Sequence, residues 1–342
     1  MKRPTQATVA RHAGVSVATV SYVLNGTNNG RVPISEETRQ RVLAAVEQLG
    51  YVPDARARAL ASGSTKTIAV LIPDLRNPHF GEYATGIEQA ARAAGYHILL
   101  SSSALNDAYA LDILKVLAQR QVDGLIVTSS FILESEEAHL ILADILKQGL
   151  PIVGLSHNYG VDTVSADYDE ATAEAVTYLL SLGHRRIGLV YGTGGQEMAL
   201  DRLQPFRDSL HAAGIPVDPS LIVECGPTIK DGYEAATHLL ELPSRPTAIV
   251  AINDLLAIGT MRAAADLGLR VPNDLSVMSY DDIPMADYLV PRLTTVTKDT
   301  LNLGRKAFEV LLARLQDPDL PQQHVHCPVR LIIRESTGQS PF

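Results

Sequence analysis

The residue pattern predicts an α/β chain: an N-terminal three-helix headpiece with a helix-turn-helix, a hinge helix, and a two-lobed body built on parallel sheets. Three observations carry this. Charge is split unevenly, since positions 1–66 hold nine Lys/Arg and four Asp/Glu, whereas the rest of the 342 residues hold 20 and 34. Two short amphipathic helices separated by a glycine turn open the chain. Beyond residue 66, short apolar runs alternate with helical stretches, and that rhythm occurs twice.

The net charge of −9 is therefore an average of a basic segment at +5 and an acidic remainder at −14. The total argues against a nucleic-acid partner, but its distribution does not. No uninterrupted apolar run reaches six residues, so no bilayer span is expected. The segment from Met1 to Ala10 lacks the apolar core of an export signal. Cys225 and Cys327 read as free thiols in a reducing compartment. A cytoplasmic, nucleoid-associated location is the expectation.

In the headpiece, Thr5 is placed to cap a helix from Gln6 to about Ala13 that turns Val9, Ala10 and Ala13 to one face. Gly14 ends it, and Ser16 caps a second helix from Val17 to about Leu24, with Val20, Val23 and Leu24 facing the first. The opposite face carries Val17, Ala18, Ser21 and Tyr22, short or flat side chains that allow close approach to base edges in a major groove. A plain helical hairpin has the same spacing. Ser35 then caps a third helix to Leu49, whose Val42, Leu43, Val46 and Leu49 are expected to close the core, and Gly50 stops it.

Asp54 can cap a hinge helix of good helix formers around Arg56, Ala57, Arg58 and Leu60. Two turns are marginal alone in water, so this segment is expected to fold against a partner; two arginines and a leucine suit phosphates and a minor-groove wedge. A flexible linker is the alternative. Three units follow: residues 1–52 as a DNA reader, 53–66 as hinge and linker, and 67–342 as effector-binding and dimerisation body. Within the body, lobe one is expected at about 67–164 and 297–324, and lobe two at about 165–296 and 325–342.

The body's expected strands are Ile68–Ile72, Ile98–Leu100, Leu125–Val127 and Ile152–Leu155, then Ile187–Tyr191, Leu221–Val223, Ala248–Ile252 and Val277–Tyr280. Helices are expected near 80–94, 108–120, 135–148, 200–213, 230–242 and 254–267. Leu293–Val296, a helix over about Asp299–Leu315 and a strand at Val329–Ile333 complete the chain. Ligands of open α/β sheets bind beyond the C-terminal strand ends. Polar and aromatic residues follow those ends: Asp74, Phe80 and Ser156 in the first lobe, and Arg202, Phe206, Asn253 and Asp281 in the second. Carboxylates and amides bind vicinal hydroxyls, arginine offers a rigid donor fork, and phenylalanine stacks on a ring face. Together they describe a site for a small polyhydroxylated molecule, although Asn253 and Asp281 also suit plain helix caps.

No catalytic constellation is found. Gly192-Thr193-Gly194-Gly195 departs from a dinucleotide fingerprint because Glu197 takes the last glycine position. No G-x-S-x-G elbow or H-E-x-x-H pair occurs. His324 and His326 beside Cys327 read as an extended, solvated edge, and His184 as structural. No enzyme, cofactor or metal is expected.

The chain resembles the LacI/GalR family of bacterial transcriptional regulators, also called the lactose/galactose repressor family. The resemblance lies in Val9-Ala10, Ala13-Gly14-Val15-Ser16, Ala18-Thr19-Val20-Ser21, Leu24-Asn25, Ser35-Glu36-Glu37-Thr38-Arg39, Leu49-Gly50-Tyr51 and Pro53. It continues through Asn77-Pro78, Gly183-His184-Arg185, Asn253-Asp254, Tyr280-Asp281-Asp282, Leu293-Thr294-Thr295 and Arg334-Glu335-Ser336. The resemblance implies a homodimer, or a tetramer in some members, on a near-palindromic operator, with a body like periplasmic sugar-binding proteins. It implies DNA contacts from Thr5, Ser16, Val17, Ala18, Thr19, Ser21, Tyr22, Asn25, Asp54, Arg56, Ala57 and Leu60, with Arg31 either reaching phosphate or merely on the surface. It also implies effector contacts by Arg202, Asn253 and Asp281, with Phe80 and Ser156 as weaker matches. A repressor of carbohydrate-utilisation genes governed by a mono- or oligosaccharide is the expectation; a purine or other corepressor, or a pure small-molecule binding protein, are the rivals.

There are departures. Tyr22 stands where members commonly carry a guanine-reading arginine, and Thr8 replaces an acid, which is expected to loosen the first helix. The 26–33 loop is longer than usual, Asp54 replaces asparagine, and Ser156 replaces aspartate.

Overall fold

The computed structural model describes residues 4–25, 34–52, 59, 63–117, 119, 122–128, 136–155, 160–166, 168–192 and 196–341, without the side chains of 25 and 196–201. Arg31, Asp54, Arg56, Ala57, Leu60 and Ser156, and with them the expected hinge helix, lie outside the described residues. Two compact units divide at Lys66/Thr67.

The first unit holds α1 (Gln6–Ala13), α2 (Val17–Asn25) and α3 (Glu36–Leu49). Thr5 caps α1 by accepting from the Thr8 N–H at 3.3 Å, and Thr8 returns the bond by accepting from the Thr5 N–H. The loosening expected of Thr8 is thus not observed, because its hydroxyl closes a reciprocal capping box. Gly14 takes φ +66, the left-handed conformation that glycine adopts without a Cβ penalty, and Ser16 accepts from the Thr19 N–H at 3.0 Å to start α2. Val9, Ala10, Ala13, Val20, Val42, Ala45 and Tyr51 form the core. Leu43, expected inside, is exposed: positions 42, 45, 46 and 49 follow the 3.6-residue period, and 43 falls off that stripe.

The second unit has two six-stranded sheets. The first contains β1 (Thr67–Ile72), β2 (His97–Ser102), β3 (Gly124–Val127), β4 (Ile152–Gly154), β5 (Asp162–Ala166) and β11 (His324–Cys327), in the order β11-β5-β4-β3-β1-β2 and parallel throughout. Helices α4 (Pro78–Ala93), α5 (Asp107–Leu117), α6 (Glu136–Lys147) and α11 (Thr300–Gln316) belong to this lobe. The second contains β6 (Ile187–Gly192), β7 (Ile222–Cys225), β8 (Ala248–Ala251), β9 (Ser276–Tyr280), β10 (Thr294–Thr297) and β12 (Arg330–Ile332), in the order β12-β10-β9-β8-β6-β7. Only β12 runs antiparallel, against β10. Its helices are α7 (Asp169–Ser181), α8 (Gln196–Ala212), α9 (Ile229–Leu240) and α10 (Asp254–Asp266). Apolar strands such as Ile68–Ile72 are buried because helices cover both faces.

The chain crosses between lobes three times, after β5, β10 and β11. Residues 165–166 and 325–327 therefore stand in lobe one and Thr297 in lobe two, shifting the expected boundaries, because β5 and β11 complete the first sheet. β11 occupies the extended edge expected at His324 and His326, whereas β5 and α7 are absent from the expected elements: β5 reads Asp-Thr-Val-Ser-Ala, without an apolar run. On edge strand β11, His324 and His326 bond Thr163 and Ser165 of β5 through Nδ1, at 2.8 and 3.1 Å. No helix among the described residues is long and apolar enough to cross a membrane.

Candidate functional site

The parallel strands aim their C-terminal ends at the space between the lobes, and a cluster of polar side chains gathers there. His79 and Tyr83 lie one turn apart at the start of α4, which Asn77 caps by accepting from the His79 N–H at 3.0 Å. Tyr168 sits on the first crossover, Arg202 on α8, Asp281 after β9, and Lys298 on the second crossover.

Arg202 is buried, with Cζ 4.3 Å from the Tyr168 ring centroid and 5.2 Å from that of Tyr280. Its Nη2 lies 3.9 Å from Asp281 Oδ1, too far for a hydrogen bond, and its Nε has no acceptor. The buried Tyr168 hydroxyl interacts with the guanidinium and helps hold its charge, yet neither it nor Nε has a partner at full hydrogen-bond geometry. Buried polar atoms are ordinarily satisfied, so two orphans side by side point to a ligand that supplies their partners. Lys298 Nζ stands 5.2 Å from the Tyr83 ring and 5.3 Å from the Tyr168 ring. Its pKa stays above that of a free lysine, since Tyr168, Tyr83 and Asp281 outweigh the lowering effect of burial.

His79 Nδ1 lies 3.7 Å from Asp281 Oδ1, joining the lobes. Burial drives its pKa down to about 3 despite that carboxylate, so the ring is neutral near pH 7. Asp254, at the start of α10, accepts from Ser279 Oγ, from Thr295 Oγ1 at 2.9 Å and from the Ile283 N–H at 2.6 Å. Burial, with help from Asp281, still pushes its carboxyl up to about 7. Asp281 (φ +106), Asp282 (φ +56) and Asp299 (φ +50) all take left-handed backbone conformations beside the cluster. Non-glycine residues held there store strain, which collects at functional sites.

Of the residues expected at an effector site, Arg202 and Asp281 meet in this cluster. Phe80 is half-buried and edge-on to His79, with centroids 5.3 Å apart. Asp74 holds Arg76 at 3.0 Å. Asn253 caps α10, accepting from the Leu256 N–H at 2.8 Å and donating to the Pro227 carbonyl at 3.3 Å, so its side chain is engaged within lobe two. Phe206 is corrected: it is 1% exposed and packed in the hydrophobic core of lobe two, where it serves as a core side chain. His79, Tyr83, Tyr168 and Lys298 escaped the sequence reading. A lysine directly after a buried strand was the available signal for Lys298. His184 is structural as expected, bonding Thr247 and Ser276 at 2.9 Å and the Gly338 carbonyl at 3.0 Å.

On the headpiece, α2 leaves Val17 46% and Tyr22 40% exposed, with Ser16 and Ala18 beside them, whereas Val20 is fully buried. Thr5 is committed to its cap, and Ser16 and Thr19 bond each other at 2.9 Å. No group of metal-holding side chains occurs among the described residues.

Residues 7–54 match the model for bacterial regulatory proteins of the lacI family, and residues 176–337 that for a periplasmic binding protein-like domain. A transcriptional repressor, PurR of Photobacterium profundum, is 35% identical across 96% of this chain and 97% of its own. A LacI family transcriptional regulator from Enterococcus faecium, solved with bound ribose, shares 32% identity and a TM-score of 0.73 over 80% of this chain and 98% of its own. The lac repressor dimer bound to operator and the anti-inducer ONPF shares 28% identity and a TM-score of 0.86 over 98% of this chain and all (100%) of its own. With its helix-turn-helix unit and two-lobed, periplasmic binding protein-like body, the chain belongs to the LacI/GalR family: it is a ligand-responsive, DNA-binding transcriptional regulator.

Proposed function

We propose that the chain is a homodimeric repressor of carbohydrate-utilisation genes, and that a small sugar-like effector between the lobes sets its affinity for a near-palindromic operator. The observation that carries this is the pair of buried, unpartnered groups, Arg202 Nε and the Tyr168 hydroxyl, beside Asp281. A donor fork, a phenol and a carboxylate suit a molecule rich in hydroxyls better than an apolar one. The bound ribose of the Enterococcus faecium regulator supports a sugar. Operator contact is assigned to α2 through Val17, Ala18, Ser21 and Tyr22, with residues 53–66 as the hinge between reader and body.

Self-association is supported by exposed apolar side chains on both lobes: Leu99 and Leu100 on β2 and Tyr109 and Val116 on α5, then Met285, Tyr288 and Val290 in lobe two. Apolar side chains that gather on one exposed strand or helix mark candidate association surfaces. Two headpieces on one dimer read two half-sites, and effective concentration multiplies their affinity. The effector acts by binding the DNA-competent and incompetent states unequally, so DNA must change effector affinity by the same factor.

The test is operator binding by fluorescence anisotropy on the gene's upstream DNA, repeated with neutral sugars, sugar acids, sugar phosphates and purines. A saturable change in affinity with a sugar-type ligand is expected. An effect from purines alone, or no binding to any neighbouring DNA, overturns the reading.

A further inference from the structure

We propose that the effector is a polyhydroxylated monocarboxylate, a sugar acid, whose carboxylate is held between Arg202 and Lys298. This rests on the ligand-responsive cleft proposed above and names the chemistry of its occupant.

The argument is one of uncompensated charge. Arg202 and Lys298 are 3% and 9% exposed, and both stand within 6 Å of the same Tyr168 ring centroid. Among the described residues neither has a carboxylate within hydrogen-bond distance, and Lys298 has no ion pair. Among the described residues, Asp281 is the carboxylate left to balance them, at 3.9 Å from Arg202. The other ionisable groups are committed. His79 is neutral, and Asp254 is enclosed by three donors of lobe two. Asp74 turns to Arg76, and Asp282 to Arg334 at 2.7 Å. Glu82 and Asp299 are more exposed, so water screens them. Among the described residues, two buried cations thus face one nearby anion, which leaves about one positive charge unanswered by them. A buried charge without a partner is costly, and a site keeps it only where the bound state offsets that cost.

A neutral sugar can satisfy the orphaned Nε and phenol but leaves that charge in place. A phosphate monoester brings about 1.5 to 2 negative charges and overshoots. A monocarboxylate matches the charge, and its two oxygens fit the arginine fork through the free Nε. Asp281 and the Tyr168 hydroxyl remain for the hydroxyls of the chain or ring.

The experiment uses full-length protein and isothermal titration with matched probes: pentonates, hexonates and hexuronates, their neutral parent sugars, the corresponding sugar phosphates, inorganic phosphate, and purines. At least one sugar acid should bind about tenfold or more tighter than its neutral parent. Lys298→Gln should cut the acid's affinity about tenfold more than the neutral parent's, erasing the preference, and Lys298→Arg should restore much of it. Binding in which a neutral sugar or a phosphate outcompetes every acid overturns this inference while the ligand-responsive cleft stands. So does a folded Lys298→Gln protein that keeps the acid preference. A protein that shifts operator DNA but binds no probe of any class overturns both.

Discussion

Replacing Arg202 with methionine separates what the buried guanidinium does for folding from what it does for signalling. In the ligand-free protein it gains attraction to Asp281 at 3.9 Å, about 4 kcal/mol at an effective dielectric near 20. The Tyr168 face adds roughly 1–2 kcal/mol. Against these stand a desolvation cost of several kcal/mol and roughly 1–3 kcal/mol for the unpartnered Nε. The two sides nearly cancel, and methionine fills the volume without a polar atom. Stability should therefore change by only about 1 kcal/mol either way, which for a body of this size moves Tm by about 2–4 °C. Differential scanning calorimetry measures that, and anisotropy with the ligand found in the titrations measures the response. The expected variant folds and binds operator but no longer answers the ligand. A Tm lower by about 10 °C with the ligand response intact would contradict this account, because Arg202 would then be a structural prop.

Tyr22→Ala, at an exposed position of α2, should weaken operator binding by about 1–3 kcal/mol while headpiece stability stays within about 0.5 kcal/mol; anisotropy and thermal melts measure the two. Asp254 has a raised folded pKa of about 7, so its stabilising contribution is complete below the unfolded value near 4 and is lost as pH climbs through 7. That group lowers stability by up to about 4 kcal/mol across this window, and Asp254→Asn should flatten Tm against pH between 5 and 8. Gly304→Ala places a Cβ against the Tyr83 carbonyl where α11 and α4 pack, and should cost about 2–3 kcal/mol in thermal unfolding. Leu99→Glu, on the exposed edge strand β2, should yield monomers by analytical ultracentrifugation and weaken operator binding at least tenfold.

Much of the architecture was legible because local chemistry states it directly. Thr5, Gly14, Ser16, Ser35 and Gly50 punctuate three helices, and α1 begins and ends where its caps put it. Continuous apolar runs such as Ala248–Ala251 announced buried parallel strands. β5 was silent because its polar alternation resembles a loop; it is a strand because Asp162 is held by Arg314 at 2.9 Å and β4 and β11 pair its backbone. The site divided the same way. Arg202 was readable since no cap or surface role accounted for it, whereas Phe206 misled because an aromatic one turn on looks identical whether it faces a ligand or a core.

Residue order and composition were enough for the unit division, the headpiece helices, the double α/β rhythm and the placement of basic charge near the reader. These features depend on spacing within a dozen residues. Which polar residues meet is settled by the folding of the body instead. The first two crossovers bring Tyr168 and Lys298 beside Arg202 and Asp281 of lobe two, and Tyr168 and Lys298 are 130 positions apart in the chain. The chemistry of Arg202 and Lys298 follows from their burial, which makes an ordinary arginine and lysine costly to leave unpaired, and burial is a property of the folded whole.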